Sequence, residues 1–409
     1  MKIFPRQKIY NFSPKAIFKT QKVNTKEEIK TLNRNFKDQY IIPTFNARAG
    51  LYFALKKVIT SKKKKIIICP FTIIDIVNII IYSGGVPVFL DSKKNTPHIS
   101  ASEISSAIDD EVAACIVTHY HTNNPEIDII SKICDARKVI LIEDCALVAG
   151  CNYENGSFVG SHGLYSFFSF GLLKTISTVS CGILKIKNYK EFQNFNQSMK
   201  KSKIYDYFDL IFKSFKFLTL TNFFIFKIFT FKIIKLGEKY DISFLRNLTK
   251  NDPYPILKKK IPSNYLKKPK GILLHEINRQ FFYTNKIILK RRENYKFYEQ
   301  LLEKSPHKER INFEKSSSSD SCINFPILIK NRKKIIRNCI LNNLDVSQYY
   351  YRNCADLKIF ERFKKKNLLN LTNYVSELVI LPTYPEITKD YQLRLIRTIE
   401  KILINEGNE

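Results

Sequence analysis

Two nearby stretches decide the fold: IEDCALVAG at residues 142–150 and VGSHGLYSFFSFGLLKTISTVSCGILKI at residues 159–186. Ile142-Glu143-Asp144 closes an apolar run that begins at Val139, so Asp144 is expected at the carboxyl end of a buried strand. Ligands gather at that end of open α/β sheets. A serine–aromatic run, Tyr165 to Phe170, follows, and Lys174 stands five positions after Ser169. A strand-end carboxylate, a hydroxyl and then a lysine are what pyridoxal 5'-phosphate (PLP) chemistry needs. The lysine forms the Schiff base, the carboxylate keeps the pyridine nitrogen protonated, and the hydroxyl takes a phosphate oxygen. Each residue also has an ordinary reading: a surface lysine in a lysine-rich chain, an aspartate N-cap, a Phe-Ser-Phe core strand. The ordered set carries the signal.

In that order the segment resembles the DegT-type sugar aminotransferases, whose usual text is close to I-E-D-A-A-Q…V-G-S-x-G-D…F-S-F-x-x-x-K. Asp144, Gly160, Ser161, Gly163, Ser169, Phe170 and Lys174 fall on it without a gap. A second match, Leu381-Pro382-Thr383-Tyr384-Pro385 on L-P-x-Y-P, lies far downstream. The resemblance covers roughly residues 40–200 and 270–405. It implies a fold-type-I PLP transferase: a large α/β domain around a mostly parallel sheet flanked by helices, plus a small C-terminal α/β domain. It further implies a homodimer with sites at the subunit interface. The implied reaction moves an amino group, usually from glutamate, to a keto group of a nucleotide-linked sugar, for surface polysaccharide or glycoconjugate biosynthesis. On this reading Lys174 is catalytic, and Asp144, Ser169, Arg48, Ala47 and Ile73 hold the cofactor. Lys174 also sets the chain apart from the sugar dehydratases of the family, which carry histidine there.

The chain departs from the family text in four places. Asn46-Ala47-Arg48 stands where Ser-Gly-Thr is usual, Ile73 replaces a ring-stacking aromatic, and Leu147 replaces a glutamine. Thr178-Val179-Ser180-Cys181-Gly182 keeps one glycine of T-G-E-G-G. A small-residue turn opening a helix at Ala47 still presents backbone N–H groups and a positive dipole end to a phosphate, and Arg48 adds a charged fork. An arginine paired at an ordinary helix start is the alternative. Together the departures define a rival function, a catalytically degenerate scaffold of the same fold associated with a membrane surface. Degeneration normally removes the lysine or aspartate first, and both are present.

At 409 residues the chain can bury one large and one smaller core. Nine scattered cysteines with no C-x-x-C pair predict reduced, mostly buried thiols rather than a disulfide framework. No metal site is expected: His119 and His121 alternate without a following ligand cluster and read as strand-end residues. The amino terminus mixes charge with apolar residues and lacks a signal-peptide core, so a cytoplasmic protein is expected. A formal charge of +31 favours anionic partners. It is a weak pointer, because abundant Lys, Ile, Asn and Phe without Trp also fits an A/T-rich coding bias. Nucleic acid binding would rest on charge alone and is not expected.

Helices are expected at Lys26–Phe36, from Ala47, at Thr72–Tyr82, His98–Ile108 and Ile272 to about Leu302. Strands are expected at Ile66–Ile68, Val86–Leu90, Ala113–Thr118 and Ile183–Ile186. Strands alternating with helices at this spacing argue for βαβ units. Three parts follow: a leading segment 1–40, a large domain 41–270, and a long helix with the small domain at 271–409. Residues 316–319 read as a flexible connection and Thr388 as the cap of a closing helix. Residues 200–270 are the odd part, since Lys and Arg (16 and 1) exceed Asp and Glu (5) by 12. Within them a phenylalanine-rich run is interrupted by lysines, too often for the roughly 18 residues of a spanning helix. On a helical wheel Lys213, Lys216, Lys227 and Lys235 share one side with the aromatics opposite. That pattern suits peripheral contact of 207–236 with the inner face of a membrane, or packing on a second subunit.

Overall fold

Seven strands build the central sheet: β1 (Tyr40–Thr44), β2 (Lys65–Ile68), β3 (Val86–Phe89), β4 (Val112–Thr118), β5 (Ile140–Asp144), β6 (Tyr165–Ser169) and β7 (Gly182–Ile186). Their spatial order is β1-β7-β6-β5-β4-β2-β3. Strands β2 to β6 are parallel, β7 is antiparallel to β6, and β1 is antiparallel to β7. Strands covered on both faces need apolar runs, and every residue of β4 is buried. The computed structural model describes residues 2–9, 17–18, 23–37, 40–195, 199–246, 248, 254–348 and 351–407.

The register sets the site. Asp144 ends β5 opposite Phe167 of β6. Two residues further on, Ser169 faces Gly182 of β7, which in turn faces Thr44 at the end of β1. Asp144, Ser169, Gly182 and Thr44 therefore lie along one edge of the sheet. From that edge the chain enters α2 (Ala47–Val58), after α1 (Thr25–Asn35) and before α3 (Ile74–Tyr82). Asn46 caps α2, its side chain accepting from the Ala49 N–H at 2.9 Å. Gly84, with φ 96°, stops α3.

Two helix starts differ from the sequence expectation. Helix α3 begins at Ile74, because Phe71–Thr72 pair as a short antiparallel strand with Arg352–Asn353. The helix expected from His98 begins at Ala101, where the Ser100 hydroxyl accepts from the Glu103 N–H at 3.1 Å.

The long helix, Gly271–Glu303, belongs to two cores. Its first half places Leu273, Leu274 and Ile277 in the core around the sheet. Its second half places Tyr295, Tyr298 and Leu302 in a second core with Phe325, Ile327, Val379 and Leu381. These last four lie on a small antiparallel sheet of β8 (Asn312–Phe313), β9 (Asn324–Leu328) and β10 (Leu378–Pro382). The closing helix Lys389–Gly407 starts after Thr388, whose hydroxyl accepts from the Tyr391 N–H at 3.3 Å.

The leading residues are not a separate unit. Phe4 is buried in the second core, Arg6 donates from N and Nε to Asp345 at 2.8 and 2.6 Å, and Tyr384 donates to the Pro5 carbonyl at 2.8 Å. Residues 316–319, expected to be flexible, are tied down. Glu299 accepts from the Ser316 N–H at 2.6 Å, and Asn123 donates to the Ser319 carbonyl at 2.9 Å.

The phenylalanine-rich segment also corrects its expectation. A helix runs from Phe208 to Leu220, the chain breaks at Thr221 and Asn222, and helical turns resume to Lys239. Asn222 caps the second half by accepting from the Phe224 N–H at 3.1 Å. The two halves bend by 59°, so no single wheel relates the four lysines. Lys235 turns inward to Asn343 at 3.0 Å. The first half sinks Tyr207 and Ile211 into the core around the sheet. The second half sinks Phe226, Phe231 and Ile234 against Ile340 of the small domain. All nine cysteines are buried and unpaired.

Candidate active site

Asp144 is buried at the end of β5, and its Oδ1 accepts from the Ala146 N–H at 3.0 Å. Burial pushes its carboxyl up to about 6, against the opposing pull of the Ala146 N–H, Lys174 and His119. Lys174 is therefore close enough to act on Asp144 through space. A buried carboxylate so raised is best satisfied by a cation placed against it.

Lys174 sits on the loop between β6 and β7, and that loop is firmly held. The Thr178 N–H and hydroxyl both reach the Phe170 carbonyl, at 2.6 and 2.7 Å. The Ser177 hydroxyl donates to the Lys174 carbonyl at 2.7 Å. From the long helix, Gln280 accepts from the Ser177 N–H at 2.9 Å and donates to its carbonyl at 2.8 Å. Leu173, just before the lysine, has φ 66°. A branched residue there costs on the order of 1 kcal/mol, so the loop is shaped to aim Lys174 rather than to relax.

Ser169 reaches this loop from β6, and Gly182 joins it to α2. A Cβ on Gly182 would lie 2.3 Å from the Ala47 amide nitrogen. Only glycine lets β7 approach the start of α2 this closely. The first amides of a helix have no intrahelical acceptor, so the Ala47 and Arg48 N–H groups stand beside the Ser169 edge with the dipole behind them. The sequence reading kept Gly182 as a remnant; the structure makes it the contact that assembles the corner.

The Arg48 side chain goes elsewhere. Its guanidinium pairs with Asp75 and lies over the Tyr265 ring, 5.5 Å from its centre. Asp75 also receives Lys258 at 2.5 Å. Burial opposes ionisation of Asp75, yet the two cations hold its carboxyl below the usual range. The charged fork expected for a phosphate is thus already engaged, and Arg48 offers its backbone N–H instead. Ile73 is half-buried at the start of α3. Leu147 and Leu173 line a small cavity together with Arg6, Lys8, Arg291 and Tyr384.

Beneath Asp144 lies a polar network that the sequence reading missed. Glu143, on the opposite face of β5, is fully buried. It accepts from His119 Nε2 at 3.0 Å, the Tyr153 hydroxyl at 3.1 Å and the Gly163 N–H at 2.5 Å. The Asn124 N–H reaches His119 Nδ1 at 3.3 Å, which puts the ring proton on Nε2. Burial alone would raise the Glu143 carboxyl. His119, Gly163 and Lys185 outweigh it and hold it at about 2. Cys145 Sγ lies within 4.8 Å of donor atoms of His119 and Glu143, a set of metal-ligating types. Their hydrogen bonds satisfy His119 and Glu143 already, and burial raises the Cys145 thiol well above its ordinary value. The cluster is a brace behind the strand end. His119 directly follows β4, as expected.

The fold and the site together define a fold-type-I transferase: a seven-stranded sheet with an aspartate ending one strand and a lysine on the loop after the next. The chain belongs to the DegT/DnrJ/EryC1/StrS aminotransferase family, which it matches over residues 14–202 and 277–400. A GDP-perosamine synthase of Escherichia coli O157:H7 is 33% identical over 146 residues, 36% of this chain and 40% of that protein. One from Vibrio cholerae is 29% identical over 139 residues, 34% of this chain and 38% of that protein. The aligned stretch thus spans about two fifths of the length of these curated relatives. The Helicobacter pylori aminotransferase PseC, involved in the biosynthesis of pseudoaminic acid, superposes with a TM-score of 0.73 at 15% identity, over 99% of this chain and 100% of that one. A Streptococcus pneumoniae protein solved in its PLP form superposes with a TM-score of 0.70 at 13% identity, over 98% and 99%. The matched blocks leave out residues 203–276, which contain the bent helical segment.

Proposed function

We propose that this chain is a PLP-dependent aminotransferase that moves an amino group, from glutamate, to a keto group of a nucleotide-linked sugar. Family membership supports the reaction class, and the perosamine synthases and PseC are relatives named for amino-sugar chemistry. The observation that carries the reading is the shared edge of Asp144, Ser169, Gly182 and the start of α2, with Lys174 within electrostatic reach of Asp144.

The residues fit the cofactor. The Ser169 hydroxyl and the Ala47 and Arg48 N–H groups suit its phosphate, and the raised Asp144 carboxyl suits its protonated ring nitrogen. When bound, PLP supplies a carbonyl that captures amines and a ring that takes up the electron pair left by a departing proton. Asp144 holds the proton at the pyridine nitrogen. Lys174 Nζ would hold the cofactor through its carbonyl carbon and, when free, would be the base that moves the proton off the donor Cα. Ile73 and Leu147, standing where the family text has an aromatic and a glutamine, would offer the ring no hydrogen bond. The cavity beside Leu147 and Leu173 is small, and the cations on its wall are engaged, Arg6 with Asp345, Lys8 with Glu386 and Arg291 with the Ile323 carbonyl.

The visible spectrum of purified protein given PLP, before and after glutamate and beside Lys174→Ala, tests this. A band that depends on Lys174 and shifts with glutamate is expected. No band, or one indifferent to Lys174, would make the degenerate scaffold the better reading, since the departures at Ala47, Ile73, Leu147 and Val179 to Cys181 would then have disabled the site.

A further inference from the structure

The bent segment between the two family blocks presents a second feature. Its inward side is anchored on both domains, through Tyr207 and Ile211 on one and Phe226, Phe231 and Ile234 on the other. Its outward side leaves Phe208, Phe212, Phe215, Phe224, Ile228 and Phe229 exposed, with Phe212 and Phe224 at 71% and 72%. Folded chains rarely leave so many large aromatics in water without a partner surface. Lysines 213, 216, 227 and 232 are exposed among them. Taking Phe208 as origin and 100° per residue, Phe215, Phe208 and Phe212 fall within about 60° of one another. Lys216 lies about 40° beyond Phe212 and Lys213 about 100° beyond it, where Lys213 pairs with Asp209 at 2.7 Å. The exposed side of this helix therefore carries aromatics along one border and cations along the other, with the buried Ile211 and Ser214 behind.

We infer that this face seats the protein on an anionic lipid surface, with the phenylalanines in the acyl boundary and the lysines at the headgroups. Between Phe208 and Leu236 the chain holds five lysines and a single carboxylate, Asp209, so the face is complementary to negative headgroups. A second copy suits it poorly. Interface cores are depleted in lysine, and a two-fold contact would bring this basic face onto itself. The segment lies on the surface and does not cross. Among the described residues no single helix is long and apolar enough to span a membrane; the bent pair 204–239 together has the length and composition of a broken span, but its buried anchors commit one side to protein.

Flotation of the full chain with phosphatidylcholine vesicles, with and without phosphatidylglycerol, tests the inference. The variants are Phe212→Ser with Phe224→Ser, and Lys213→Glu with Lys216→Glu. Circular dichroism melting and light scattering report fold and mass. Wild type should float with the anionic vesicles, less so at high salt. Each variant should lose at least roughly tenfold in partitioning at unchanged mass and melting. The inference is overturned if wild type stays unbound, if the variants float equally, or if the phenylalanine variant changes mass while vesicle binding persists. That last result would assign the face to a second copy. The chain has no tryptophan, so Phe212→Trp supplies a reporter that removes no aromatic bulk. Its emission should shift to the blue with anionic vesicles, and an unmoved spectrum would also overturn the inference.

Discussion

Replacing Gly182 with alanine tests how the phosphate corner is built. The new Cβ would meet the Ala47 nitrogen and the Asn46 carbonyl carbon at 2.3 Å, where ordinary contact begins near 3.4 Å. Both are backbone atoms, so no side-chain rotation relieves the clash. The start of α2 must retreat from β7 by about 1.1 Å, the difference of those distances. Overpacking of this kind costs about 1–3 kcal/mol of stability. The larger effect falls on the cofactor. A retreat of that size stretches an amide–phosphate hydrogen bond past its useful range, and one bond to a charged group is worth about 1.5–3 kcal/mol. PLP affinity should fall by about ten- to a hundredfold, read by titrating cofactor-free protein and following absorbance. Gly171→Ala is the control, because its Cβ would have 3.8 Å to the nearest group, the Ser169 hydroxyl. Wild-type affinity and urea midpoint in Gly182→Ala would refute the reasoning, and so would an equal loss in both variants.

Two further outcomes follow from the paired faces of β5. Asp144→Asn keeps the shape but not the charge, so PLP should still bind while the glutamate half-reaction slows by about 10²–10⁴, measured by single-turnover absorbance. An unchanged rate would remove Asp144 from the chemistry. Glu143 has its carboxyl depressed from 4.5 to about 2, so it contributes stability above pH 4.5 that is lost as pH falls toward 2. The depression corresponds to on the order of 3 kcal/mol. Glu143→Gln should be less stable than wild type by urea titration near neutral pH. The gap should narrow between about pH 4.5 and about pH 2, and a constant gap would contradict the assignment.

Much of the site was legible because its key residues are near one another in sequence. Asp144 follows an apolar run, Ser169 ends another, and Lys174 lies on the next loop, so strand-end logic located all three. What lay hidden was long-range. Gln280 holds the lysine loop from 103 residues away, and no local pattern marks it. Glu143 was passed over beside its neighbour because its role depends on His119, 24 residues earlier. Arg48 was assigned from its place at a helix start, whereas its partner Asp75 is set by how α2 and α3 pack. The bend in the phenylalanine-rich segment did have a local sign, since Thr221-Asn222 is a capping pair, but hydrophobic periodicity read across it.

The leading residues have a consequence for how the chain is made. Arg6 is joined to Asp345, 339 residues later, and Pro5 to Tyr384, 379 residues later. During synthesis Phe4 and Arg6 emerge before the residues that build the central sheet, and their partners leave the ribosome only after it. Chains emerge at about 5–20 residues per second, so this stretch waits on the order of tens of seconds without its native contacts. The second core can close only once the residues from Tyr295 to Leu403 have been made and can meet Phe4. An early stop or a stalled ribosome would strand Phe4 in solvent and leave the small domain open, while the sheet carrying Asp144 and Lys174 could already have formed.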